Sequence, residues 1–175
     1  LQSSNDSTST RVITDSVIRV GSSAFALQIR RWANNDVSLS PISRNVITNP
    51  QGSGINIRYG YAGLTIDANT VSVKLTGIES YYSGGVIAVT GNTLESTDTS
   101  SQYWNKGSGI YFRYPRANGG ADNAITSVTL QNNTIKKFGR NGGLYFDGGN
   151  VTITSSITGN TITDSYSRGV SINNL

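Results

Sequence analysis

One short phrase, repeated six times, most constrains what this 175-residue chain can fold into. A glycine or other small residue is followed by an apolar residue, any residue, and a second apolar residue. It reads Ala24-Phe25-Ala26-Leu27, Gly54-Ile55-Asn56-Ile57, Gly109-Ile110-Tyr111-Phe112, Gly143-Leu144-Tyr145-Phe146 and Gly169-Val170-Ser171-Ile172, with Gly85-Val86-Ile87-Ala88 as a weaker copy. The first apolar positions, 25, 55, 86, 110, 144 and 170, lie 29 residues apart on average. A period of this size means that one unit cannot bury its apolar face alone and must stack on its neighbours.

A second phrase precedes most copies of the first. It joins an apolar residue, two spacers, Asn or Ser, one spacer, and Ile or Leu. The copies are Ile13/Ser16/Ile18, Ile42/Asn45/Ile47, Val89/Asn92/Leu94, Leu130/Asn133/Ile135 and Ile157/Asn160/Ile162. From Leu94 to the next anchor, Ile110, is 16 residues, against 7 to 9 elsewhere, so that unit carries an insertion. The stretch near Leu75 to Ile78 breaks the Asn pattern and marks an irregular third repeat.

Alternating apolar residues rich in β-branched types predict strands rather than helices. Val37-Ser38-Leu39, Val71-Ser72-Val73 and Val151-Thr152-Ile153 share the period of two. Each unit therefore holds two or three short strands joined by Gly, Asn and Ser turns. The unit is too short for a propeller blade, and the Trp-Asp blade signature is absent.

On these two phrases the chain resembles the right-handed parallel β-helix, or pectate-lyase-like, superfamily, which includes tailspikes and polysaccharide lyases. The resemblance covers roughly residues 12–175. It implies an all-β fold, a right-handed single-stranded parallel β-helix (a solenoid) of about six turns, near 30 Å long at about 4.8 Å per turn. It also implies an internal ladder of stacked amides at Asn45, Asn92, Asn133 and Asn160, with Ser16 substituting at one end. The alternative is that these asparagines only adopt left-handed turn conformations. Residues 1–11 read as a disordered or linker segment, and 12–175 as one β-helix domain, expected to be an excerpt of a longer chain.

Composition narrows the function. The formal charge is +4, and only 14% of residues are charged, against 24 serines, 19 threonines and 18 asparagines. Such a polar, uncharged surface suits an extracellular protein, secreted or on a virion surface. It does not suit nucleic-acid binding, which clusters Lys and Arg on one face. Cysteine is absent, so there is no disulfide framework and no thiolate metal site. Histidine is absent too, which removes the usual general base. No apolar run approaches the length of a membrane span. Thr-Ile-Thr and Val-Thr-Ile-Thr stretches do not repeat in register, which argues against an ice-binding threonine array. Asn5, Asn132 and Asn150 form glycosylation sequons, which chance alone supplies in so Ser/Thr/Asn-rich a chain.

The repeat alignment reads out the outward rows. The central position gives Ala26, Asn56, Ile87, Tyr111, Tyr145 and Ser171. The position after the phrase gives Gln28, Arg58, Arg113, Asp147 and Asn173. Tyr111 and Tyr145 are thus expected on consecutive turns, with Arg113 beside Asp147 and Arg58 at the margin. Flat aromatic faces with forked polar groups suit a sugar chain. The alternative is an aromatic cross-strand pair and a surface ion pair. The insertion adds Tyr103 and Trp104, and the loop after Arg113 adds Arg116. All three join the candidate substrate-binding set.

Glycoside hydrolysis needs two carboxylates at a set separation. The chain has eight Asp and two Glu, and Asp98, Asp147, Asp164, Glu79 and Glu95 lie near the outward rows. Asp147 is the leading catalytic candidate, with Arg113 beside it. The resemblance implies a calcium cluster of acids in lyases and paired Asp with His in hydrolases. Neither is visible, so no metal or cofactor is expected. The expected partner is a polysaccharide, with no nucleic acid and no membrane insertion. The tailspike resemblance adds a homotrimer, or the remainder of a longer chain, as a further partner. Two activity classes stay open: a polysaccharide hydrolase or lyase, and a non-catalytic adhesin or stalk.

Overall fold

A computed structural model describes residues 12–32, 41–60, 64–81, 85–100, 102, 106–113, 125–147 and 154–173. Among them every helix or strand is a β-strand, and the strands form a parallel β-helix. The first coil runs β1 (Ile13–Thr14), β2 (Val17–Arg19) and β3 (Phe25–Trp32). The second runs β4 (Pro41–Ser43), β5 (Val46–Asn49) and β6 (Ser53–Gly60). The third runs β7 (Leu64–Asp67), β8 (Thr70–Val73) and β9 (Ile78–Tyr81). The fourth runs β10 (Gly85–Thr90), β11 (Thr93–Ser96) and β12 (Ile110–Arg113). The fifth runs β13 (Ile125–Gln131), β14 (Thr134–Lys136) and β15 (Leu144–Asp147). The last runs β16 (Thr154–Thr158), β17 (Thr161–Thr163) and β18 (Val170–Asn173). First, second and third strands of successive coils pair in parallel as sheets A, B and C, each of six strands. Four coils have a neighbour on both sides. The segment 1–11 and the expected strands at Val37 and Val151 lie outside the described residues.

The core follows from the alternation. Ile42, Ile66, Val89 and Leu130 stack inside sheet A, Ile47, Val71, Leu94 and Ile135 inside sheet B, and Ile55, Ile78, Ile110 and Leu144 inside sheet C. All are at most 1% exposed. Each such side chain contributes roughly 1.5–3 kcal/mol of burial. A single coil could bury none of it, so the stack forms together or not at all.

Between sheets A and B the chain bends sharply. Asp15, Arg44, Ala68, Gly91, Asn132 and Gly159 occupy the same place in successive coils, with φ of 53°, 53°, 52°, 63°, 55° and 65°. The next residue in each case is Ser16, Asn45, Asn69, Asn92, Asn133 or Asn160. Five asparagines form the internal ladder, the four expected ones and Asn69. Each Nδ2 from Asn45 to Asn133 donates to the Oδ1 of the next coil's asparagine at 2.9–3.0 Å. The same Oδ1 accepts the main-chain N–H of the preceding asparagine at 2.9–3.1 Å. The second amide hydrogen goes to a sheet A carbonyl, as from Asn69 to Ile42 at 2.8 Å. The ladder and the left-handed turn therefore both exist, on adjacent residues. The third repeat is not irregular here: Ile66, Asn69 and Val71 complete the pattern with Val in the last place.

The small residue of the first phrase has a steric cause. A Cβ on Gly77 would lie 2.7 Å from the Gly109 carbonyl oxygen, and one on Gly109 would lie 2.5 Å from that of Gly143. The column lets each coil's main chain sit on the next, with Ile78 N–H donating to Gly109 and Ile110 N–H to Gly143 at 2.9 and 2.8 Å.

Three readings of the repeat need correction. Gly85-Val86-Ile87-Ala88 belongs to sheet A, where Ile87 is buried, and Gly77-Ile78-Glu79-Ser80 takes its place in sheet C. In the first coil Leu27, not Phe25, pairs with Ile55, so Gln28 stands beside Asn56 rather than Arg58. Threonines do repeat in register: Thr70, Thr93, Thr134 and Thr161 stand side by side on sheet B. The next outward row of that sheet holds Ser72, Glu95, Lys136 and Thr163, so the threonine rank is one residue wide.

Candidate functional site

In sheet C the inward residues are Ile55 and Ile57, Ile78 and Ser80, Ile110 and Phe112, and Leu144 and Phe146. The residues between and after them face outward as two ranks. The first rank is Gln28, Asn56, Glu79, Tyr111, Tyr145 and Ser171, and the second includes Arg58, Tyr81, Arg113, Asp147 and Asn173.

The first rank changes character at Glu79. On one side it is a hydrogen-bonded relay: Gln28 Nε2 donates to Asn56 Oδ1 at 3.0 Å, and Asn56 Nδ2 donates to Glu79 Oε1 at 2.7 Å. On the other side it is aromatic. Tyr111 stacks on Tyr145 with ring centroids 5.1 Å apart and planes inclined by 28°. Tyr81, from the second rank, meets Tyr111 edge-on at 5.8 Å. The Arg58 guanidinium lies 5.5 Å from the Tyr81 ring centre and 6.0 Å from that of Phe25. Asn173 donates to the Tyr145 hydroxyl at 3.1 Å.

The sequence expectations divide accordingly. Tyr111 and Tyr145 come together as expected, and Arg113 and Asp147 are partners in the parallel register. Asp147 is placed here by its backbone alone. Arg58 is brought to Tyr81. Tyr103, Trp104 and Arg116 lie outside the described residues. The sequence offers Glu79 as one acid among five, places Gln28 in the outer row with Arg58 and names Tyr81 as extending the groove, whereas the register moves Gln28 beside Asn56 and sets Tyr81 beside Arg58. The signal for Glu79 was Gly77-Ile78, but Ser80 replaces the second apolar residue of the phrase.

A cleft of about 300 Å³ opens at the N-terminal edge of this face, lined by Phe25, Arg58, Glu79, Tyr81, Lys106 and Arg140 among others. Its far wall is the end of the insertion. Gly139 and Arg140 donate their N–H groups to Gly107 and Lys106 at 2.9 Å, which ties that segment to the coil below. Lys106 is 1% exposed, and its ammonium is already committed to the Asp98 carbonyl and to the Tyr166 ring, 4.4 Å from its centre.

The electrostatics single out Glu79. Burial raises its carboxyl above the ordinary value, outweighing the Asn56 hydrogen bond, the Arg58 charge and the Tyr81 hydrogen bond, which all act to lower it. Burial, then the Glu79 charge, push Tyr81 up to about 12. Burial also raises Tyr111, against the opposing pull of Arg113 and Arg140. Arg58 Nε is buried with no hydrogen-bond partner among the described residues.

A second groove, on sheet B, contains the acids Glu95 and Asp98 with Lys137 and Tyr166. Lys137 Nζ lies 2.7 Å from Glu95 and holds that carboxyl low. Burial alone would raise Asp98, but the Ser100 backbone and hydroxyl hydrogen bonds, with Lys106 and Lys74, outweigh it and hold it low. Both acids are therefore ionised at neutral pH and unsuited to donating a proton. Among the described residues no three acids gather as a metal site.

Comparison with protein-family models, with curated protein sequences and with solved structures gives no match to this chain.

Proposed function

We propose that the outer face of sheet C binds a polysaccharide in an extracellular setting, on a secreted or virion-surface protein. The observation that carries this reading is the unbroken strip Tyr81–Tyr111–Tyr145, bordered by Arg58, Arg113 and Asn173. Sugar rings present C–H faces that pack on aromatic planes and hydroxyls that need forked polar partners. Rows one residue per coil supply both, in the direction an extended chain would run. The uncharged polar composition supports the extracellular setting.

Recognition without cleavage is the better-supported class. Glycoside hydrolysis asks for a protonated and an ionised carboxyl flanking the bond, and burial raises the pKa of Glu79 on this face. Cleavage with Glu79 as the acid is the second reading, and it rests on that carboxyl alone.

Native electrophoresis through gels embedding acidic and neutral polysaccharides tests both. The expected result is retardation by at least one polymer, with Tyr111→Ala and Tyr145→Ala each weakening it about tenfold. A cleared zone after glycan staining would favour the second reading. Free migration in every gel would overturn the glycan reading.

A further inference from the structure

We infer that the cleft beside Glu79 takes an oxyanion carried by a glycan, a uronate carboxylate or a sulfate ester, with Arg58 and Arg140 as its cationic contacts and Glu79 as the residue that decides its admission. The inference rests on the glycan reading of sheet C and adds the charge of the ligand and its control by pH.

Three observations lead there. Arg58 is held in place by Phe25 and Tyr81, yet its buried Nε has no partner among the described residues. A buried guanidinium N–H left unpaired is costly, and an oxyanion is its best acceptor. Arg140 lines the same cleft and is exposed. Third, the one acid in the cleft is buried and rigidly oriented, because Gln28 fixes Asn56 and Asn56 fixes Glu79 Oε1.

That acid gives the cleft two states. With the carboxyl protonated, the cleft is cationic, and Glu79 itself offers a hydrogen-bond donor to an incoming anion. With the carboxyl ionised, it repels the anion and competes for Arg58. The groups facing Glu79 are Arg58 from β6, Tyr81 from its own strand, Tyr111 and Arg113 from β12, and Lys106 and Arg140 across the cleft. The tyrosines are raised and stay neutral, a guanidinium is not deprotonated in proteins, and Lys106 is committed elsewhere. Glu79 is thus the group that titrates. Binding an anion favours its protonated form, so proton uptake accompanies binding.

The test measures affinity for polygalacturonate, dextran sulfate and unmodified dextran from pH 4.5 to 8.5 at constant ionic strength. For at least one anionic polymer, the wild-type protein loses tenfold or more in affinity as pH rises. Glu79→Gln, which keeps a neutral acceptor for Asn56, holds the low-pH affinity throughout. Arg58→Gln and the exposed Arg140→Gln each lose about tenfold or more. Arg19→Gln, which removes the same charge from sheet B, binds as wild type. Selective binding of polygalacturonate assigns a carboxylate, and selective binding of dextran sulfate assigns a sulfate. A flat pH profile, or an unchanged profile in Glu79→Gln, overturns the inference. If dextran binds as well as the anions and Tyr111→Ala weakens all three, the glycan reading stands and the inference falls. If no polymer binds, both fall.

Discussion

Asn92 donates its side-chain amide to Oδ1 of Asn133, 41 residues further along the chain, at 3.0 Å. Asn69 makes the same bond to Asn92 across only 23 residues, at 2.9 Å. The ladder is thus indifferent to how much chain each coil carries. Segments of any length can leave the stack provided they return in register, and the insertion that walls the Glu79 cleft is one of them.

Removing a ladder amide should be expensive. Asn92→Ala strips the acceptor from the buried main-chain and side-chain amides of Asn69 and removes a donor from the Ile66 carbonyl. The expected loss is about 3–5 kcal/mol in urea unfolding. Asn160→Ala, at a position that is only partly buried, should lose less than half as much. Equal losses would show that the ladder is not held by burial.

The glycine column makes a sharper contrast. Gly109→Ala sets a Cβ 2.3 Å from Ile135 Cγ2 and 2.5 Å from the Gly143 carbonyl oxygen. Both coils must shift, at a cost of about 1–3 kcal/mol. Gly169 has nothing within 4 Å of the same position, and Gly169→Ala should leave the thermal midpoint unchanged. A comparable drop in both variants would mean that backbone freedom, not contact, selects glycine.

Glu79 ties stability to pH. Its carboxyl is raised in the folded protein, so the folded state binds this proton more tightly than the unfolded chain. Its contribution favours folding below the ordinary carboxylate range and is lost as pH rises through the folded value. Glu79→Gln has no such loss. Its advantage in melting temperature over wild type should widen from pH 4 to pH 8, and a constant difference would refute the assignment.

The Asp15–Arg44 pair, 2.6 Å apart between the first two coils, should matter little. Both side chains are 59% exposed. Arg44 lowers Asp15 by hydrogen bonding, so any stabilisation is present above the ordinary Asp value and fades as pH falls through the lowered one. Arg44→Gln is expected to leave the urea midpoint at pH 7 unchanged. A clear shift would give this exposed pair a structural role.

Much of this was legible in the residues. The alternation and the 29-residue spacing require stacked coils of short strands, because no single coil can bury Ile55 or Leu94. Gly109 and Gly143 mark the close approach of main chains, and Asn92 and Asn133 mark the turn. Tyr111 and Tyr145 could be aligned because their two repeats are near-identical.

The tertiary structure decided where the weaker copies fall. A slip by any even number of residues preserves the alternation, so pattern alone cannot separate Phe25 from Leu27, or Gly85 from Gly77. Pairing between coils does separate them, and it puts Gln28, Glu79 and Tyr81 on the tyrosine face. Burial of an outward-facing acid is likewise invisible locally. It arises because a segment distant in sequence, ending at Lys106 and Gly107, forms the opposite wall of the Glu79 cleft, and desolvation depends on what surrounds a group rather than on its neighbours in the chain.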